Sequence, residues 1–209
     1  IHAVYGWRFP NLAYLDHAWA INRKEQIFPK NQEAISFYNA AWNAFVALNQ
    51  PNISYIQDLY SEYLYSTSLI EIPHLKIGWG EDPNEHLIEH LVVYYALNKI
   101  QLDSEIMKSF WNRSSSELRY HALRFIGRNG KDAPKRMKIR FTELWNSRLL
   151  AATTENDKTP FVVELKAFSW WFISELFDDG WCLVELEKVL EITGEVDIDH
   201  QVIERLASL

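Results

Sequence analysis

The chain has 209 residues, 48% hydrophobic and 14% aromatic, with 21 Lys or Arg against 28 Asp or Glu and a net charge of -7. This much apolar material excludes a disordered chain, the acidic balance repels nucleic acid at long range, and a single cysteine, Cys182, excludes a disulfide framework. Gly and Pro number seven each, too few for a sheet protein of many tight hairpins, so the expected fold is all-α. No stretch reaches the ~20 apolar residues of a membrane span, and the opening IHAVYGWRFP lacks the pattern of a signal peptide. A cytoplasmic location and no membrane partner are expected. The first residue is Ile and not Met, which we read as a piece of a longer polypeptide.

In chain order, Pro10 and Asn11 open a helix to about Lys24, with Leu12, Leu15, Trp19 and Ala18 inward. Asn31 caps a helix from Gln32 to Leu48 whose Phe37, Ala41, Phe45 and Leu48 form one face, with Tyr38 and Trp42 beside it. After Pro51, Ser54 caps a third helix to about Ile70, with Ile56, Leu59, Tyr60, Tyr63 and Ile70 at core spacing. IPHLKIGWGEDP, from Ile72 to Pro83, is the longest loop, and its Gly78-Trp79-Gly80 is a turn. Asn84 caps a helix to Asn98 with Leu87, Leu91, Tyr94 and Tyr95 inward, and a short helix ends near Trp111. Ser114 with Glu117 reads as a capping box for a helix reaching Gly127. Asp132 and Pro134 start a long helix to about Ala152, with Met137, Phe141, Leu144, Trp145 and Arg148 along one side.

The segment FVVELKAFSWWFISELFDDGWCLVELEKVLEIT, from Phe161 to Thr193, is the most apolar of all. Phe161, Leu165, Phe168, Phe172 and Leu176 fall at helical spacing, and Trp170, Trp171, Ile173 and Phe177 widen the stripe. Asp178-Asp179-Gly180 breaks it, giving a tight turn into a second helix from Trp181 to Gly194 with Cys182, Leu186, Val189 and Leu190 inward. Asp197 or Asp199 caps a last helix with Val202, Ile203 and Leu206 inward. Residues 1–209 thus read as one α-helical repeat domain of about ten helices in antiparallel hairpins, a HEAT- or armadillo-like α-solenoid, with a single globular bundle as the alternative. No letter-by-letter repeat exists, which excludes a regular tetratricopeptide or ankyrin array.

His86-Leu87-Ile88-Glu89-His90 reads H-x-x-E-H and resembles the inverzincin zinc-peptidase signature. Two His one turn apart on a helix can hold Zn²⁺ while the Glu serves as general base. A third ligand would come from a downstream Glu such as Glu164, yet that family is mixed α/β and nothing here reads as a sheet. We read the pair instead as boundary residues of the Leu87, Leu91 and Tyr95 stripe, with no metal and no cofactor. No phosphate loop, dinucleotide-binding glycine motif, nucleophile elbow or metal-binding cysteine pair is present.

Charge is uneven. Residues 1–112 hold 7 Lys or Arg against 12 Asp or Glu, 113–148 hold 10 against 3, and 149–209 hold 4 against 13. The basic block contains Arg119, Arg124, Arg128, Lys131, Lys135, Arg136, Lys138 and Arg140. It can form an acid-facing or phosphate-facing stripe over two helices, or complement the acidic carboxyl-terminal third from within.

PNLAYLDHAWAINRKEQIFPKN, FYNAAWNAFVALN, HALRFIGRNG, ELWNSRLLAA and AFSWWFISELFDDGWCLVELEKVLEITGEV resemble helical regions in the carboxyl-terminal parts of large bacterial STAND-type or other ATP-binding signalling and antiphage-defence proteins. That resemblance implies a helical-repeat sensor or scaffold joined to an enzymatic module outside this segment, and it carries over no functional residue. The expected function is therefore noncatalytic: binding a protein partner or an upstream module of the same parent chain. Zinc hydrolysis through His86, Glu89 and His90, or nucleic-acid binding through the basic block, are the alternatives.

Overall fold

The computed structural model describes residues 1–70, 82–194 and 200–208. The loop read from Ile72 to Pro83, its Gly78-Trp79-Gly80 turn, the caps at Asp197 or Asp199 and the side chain of Val202 therefore lie outside the described residues, apart from the loop's last two positions. Every regular element among the described residues is helical. Contacts divide the chain into two compact units, Ile1–Tyr94 with Asp103–Arg113, and Tyr95–Leu102 with Ser114–Leu209.

In the first unit, α1 (His2–Leu15), α2 (His17–Asn22) and α3 (Lys24–Ile27) replace the single helix expected from Pro10 to Lys24. The break is local chemistry: Asp16 is extended, and its side chain accepts the Trp19 N–H at 2.9 Å to cap α2. Pro10 sits inside α1 instead of opening it. A 3-10 turn (Gln32–Ala34) leads into α4 (Ile35–Leu48), with Asn31 as the expected cap. Helix α5 (Tyr60–Ser68) starts six residues later than Ser54, because Asn52 Oδ1 takes the Ser54 N–H at 2.9 Å and holds that stretch in turns. Helices α6 (Pro83–Ala96) and α7 (Glu105–Arg113) follow expectation closely.

Close approach of two backbones sets which faces are inward. Gly6 of α1 lies against α4 so tightly that a Cβ there would stand 1.8 Å from the Ala41 carbonyl oxygen. Helix α1 therefore buries Gly6, Phe9 and Ala13 and leaves Leu15 79% exposed, and Trp19 of α2 is 43% exposed, both contrary to the spacing argument. Helix α4 is likewise rotated: Tyr38, Ala41, Trp42 and Phe45 are buried, while Phe37 and Leu48 are exposed. The core is an aromatic lattice in which Phe9, Phe28, Trp42, Phe45 and Tyr63 meet mainly edge to face. Ile56, Leu59, Tyr63, Ile70, Leu87, Leu91, Tyr94 and Tyr95 are buried as expected.

The second unit holds α8 (Ser116–Asn129), α9 (Lys135–Thr154), α10 (Thr159–Leu165), α11 (Phe168–Ile173), α12 (Asp179–Thr193) and α13 (His200–Ser208). The cap of α8 is Ser115, which accepts the Leu118 N–H, and not Ser114. The aromatic helix expected from Phe161 is split at Lys166 and Ala167, where the ladder tightens to bonds such as Ala167 N–H to Glu164 O at 3.2 Å. Its inward stripe survives the split: Phe161, Leu165, Phe168, Phe172 and Leu176 are all buried. Trp171 is wholly buried, donates to the Leu123 carbonyl at 2.7 Å and packs 5.4 Å from the Trp145 ring.

Asp178 caps α12 as expected, but Gly180 lies within that helix, and the left-handed residue of the turn is Glu175, with φ of 56°. Gly194 ends α12 where the sequence reading stops it, in a left-handed conformation with φ of 73°. Leu190, Ile203 and Leu206, expected inward, are exposed. Helix α13 is held instead through Arg205, which ion-pairs with Asp179 and donates to the Phe172 carbonyl.

Candidate functional site

The H-x-x-E-H motif lies on α6, and its two histidines have different fates. His90 is 3% exposed, with Nε2 2.8 Å from the Asn49 carbonyl and Nδ1 2.7 Å from the Tyr63 hydroxyl. A carbonyl only accepts, so Nε2 carries the proton and Nδ1 accepts from Tyr63. Tyr63 lies 3.3 Å from the Tyr94 hydroxyl, which in turn bonds the backbone N–H and carbonyl of Asn52. Burial pushes His90 down to about pH 4, so the ring is neutral near pH 7. Both nitrogens are thus committed to the core. His86 is half-buried, with Nδ1 3.5 Å from Glu89. No three His, Cys, Asp or Glu side chains among the described residues are grouped to hold a metal.

Glu164, the downstream carboxylate considered as a third ligand, is wholly buried in the second unit and held by two arginines. Arg119 Nε donates to Oε2 at 2.7 Å, and Arg148 donates through Nε to Oε1 at 2.5 Å and through its terminal nitrogen to Oε2 at 3.0 Å. Arg119 also donates to the Ser114 carbonyl at 2.6 Å, and both guanidinium groups lie over the Phe161 ring. This triad bonds α8, α9 and α10 together. The sequence carried its signal: Arg119 shares a face with Ala122, Leu123 and Ile126, Arg148 lies in the α9 core stripe, and Glu164 falls between Phe161 and Phe168.

The basic block is accordingly dispersed. Arg140 donates to the carbonyls of Tyr95 at 2.5 Å and Ile100 at 2.9 Å, closing the carboxyl-terminal end of α6, and its guanidinium covers the Tyr95 ring. Lys131 pairs with Glu175 at 3.0 Å. Lys135 and Arg136 are exposed and Lys138 is half-buried at the start of α9. Arg124 and Arg128, one turn apart on α8, both lie over the half-buried Trp170, at 5.0 and 5.5 Å from the ring centre. The indole nitrogen of Trp170 donates to the Tyr120 hydroxyl at 3.1 Å. Among the described residues neither Arg124 nor Arg128 has a carboxylate partner, and Arg124 Nε is buried without an acceptor.

Other reactive groups are occupied by packing. Glu62 is wholly buried on α5 and is met by Lys30 at 2.9 Å, Lys24 at 3.4 Å and the Ser61 hydroxyl. Buried Glu185 accepts from the Trp145 indole and from Lys188. The Cys182 thiol is pushed up to about 11 by burial and faces the Phe177 carbonyl. A small uncharged indentation is lined by Tyr38, Asn39, Trp42, Ser66 and Leu87 among others, and the Trp42 indole nitrogen and Asn39 Oδ1 are buried without hydrogen-bond partners. Tyr14 at 86%, Leu15 at 79% and Trp19 at 43% exposure stand on the outside of α1 and α2.

No family model, curated protein or solved structure matches this chain. Among the described residues, no helix is long and apolar enough to cross a membrane.

Proposed function

We propose that this chain is a noncatalytic helical scaffold or sensor that binds another protein or another module of its own parent polypeptide. The observation that carries the reading is the apolar outer surface of α1 and α2, where Tyr14, Leu15 and Trp19 are left in water although the first unit has a dense aromatic core to take such residues. The fate of the reactive side chains supports it. His90, Glu164 and Cys182 serve packing and hydrogen bonding and offer no nucleophile or general base at a cleft. An all-helical set of elements among the described residues is what a HEAT- or armadillo-like repeat and the resemblance to the carboxyl-terminal parts of STAND-type bacterial proteins require, and the reading places the protein in the cytoplasm.

Site-specific photocrosslinking in cells tests the reading. A photoreactive residue at Tyr14 or Leu15 is expected to give one discrete adduct, and the same residue at exposed polar positions such as Glu187 is expected to give none. Absence of any adduct at Tyr14 and Leu15, together with stoichiometric zinc that is lost in His86→Ala, would turn the assignment toward a hydrolase.

A further inference from the structure

We infer that Arg124, Arg128 and Trp170 form a docking site for an acidic segment of a protein partner, a deepening of the scaffold reading and dependent on it. Both guanidinium groups lie over one indole, at 5.0 and 5.5 Å from its ring centre, so two cations are gathered at one half-buried ring. Among the described residues neither guanidinium is paired with a carboxylate, and with Arg128 exposed and Arg124 half-buried, each gains by meeting an oxyanion through its terminal nitrogens. The separation of one helical turn matches two carboxylates carried one turn apart on a partner helix, each engaging one fork.

A carboxylate source fits better than a nucleic acid. Long polyanions bind through many phosphate contacts, and here Arg119, Arg140 and Arg148 are consumed inside the second unit and Lys131 is paired with Glu175. The chain also carries a net charge of -7, which opposes the approach of a long polyanion but matters less for a short acidic segment. Half-buried Tyr120, fixed to the Trp170 nitrogen, flanks the site with an aromatic wall.

The probes are a fluorescein-labelled oligoglutamate peptide and a fluorescein-labelled oligothymidylate of equal charge, titrated by anisotropy against the whole chain. The peptide should bind with salt-dependent affinity, and Arg124→Gln with Arg128→Gln should weaken it by about tenfold or more while leaving the melting temperature within a few degrees. Lys135→Gln with Arg136→Gln should weaken it much less. Tighter arginine-dependent binding of the oligothymidylate would reassign the site to nucleic acid. Equal loss in both double variants would show only bulk charge attraction, and no binding of either probe would remove the site. The crosslinking outcome at Tyr14 and Leu15 is independent of these arginines, so the site can fail while the scaffold reading stands.

Discussion

Glu175 shows how a single residue can carry the conformational strain of a turn. It adopts a left-handed backbone that an L side chain with a Cβ resists, while Gly180, the residue suited to that geometry, sits in the first turn of α12. Its side chain is exposed and pairs with Lys131, a contact of small value in water. Glu175→Gly is therefore expected to raise the melting temperature modestly, and a fall would show that the ion pair outweighs the backbone term. Glu164 is the opposite case, a side chain that cannot be exchanged. Glu164→Gln leaves two desolvated guanidinium groups without their counter-charge, a loss of about 3 to 5 kcal/mol. Denaturant titration should show that loss; a change below about 1 kcal/mol would mean that water enters and solvates the arginines.

At the scale of the element, α11 is short, only Phe168–Ile173, and its stability comes from what it packs against and not from its own ladder. Gly127 of α8 makes this possible, since a Cβ there would meet the Trp170 Cβ at 2.7 Å and drive the two helices apart. Trp171 then reaches the Leu123 carbonyl and the rings of Trp145 and Phe177. Trp171→Ala removes a wholly buried indole and leaves that carbonyl without its donor, so a loss of about 3 to 5 kcal/mol is expected in urea unfolding. If the aromatic cluster were instead a partner surface, the same change would leave stability nearly unaltered; burial of Trp171 and Phe172 places them in the core.

For the molecule as a whole, acid should be destabilising through His90. Its folded value of about 4 lies below the ordinary value near 6.5, because burial disfavours the cation more strongly than the Asn49 carbonyl and nearby Glu89 favour it. The unfolded chain therefore binds the extra proton between these values. The stabilising contribution is fully present above about pH 6.5 and fades as pH falls toward 4, by about 3 kcal/mol at most. Urea midpoints should fall over that window more steeply for the wild type than for His90→Leu, and parallel curves would place the acid-sensitive group elsewhere. Far-ultraviolet circular dichroism should be helix-dominated, consistent with the absence of strand among the described residues.

Helical class, the buried stripes of α6, α9 and α10 to α11, the Asp178 and Gly194 caps and the inertness of Cys182 were legible in the sequence, because each depends on residues within one or two turns of one another. The inward faces of α1 and α4 were not, since they are set by Gly6 meeting the Ala41 backbone, a contact between residues distant in sequence. The same reason hid the sorting of the basic block. Sequence shows ten cations in one span, but whether an arginine is spent on a buried carboxylate, as Arg119 and Arg148 are, on a helix end, as Arg140 is, or left on an indole, as Arg124 and Arg128 are, depends on which helices tertiary packing brings alongside. Local chemistry wrote the elements; desolvation and partner geometry, which exist only once the helices have packed, decided what each charge does.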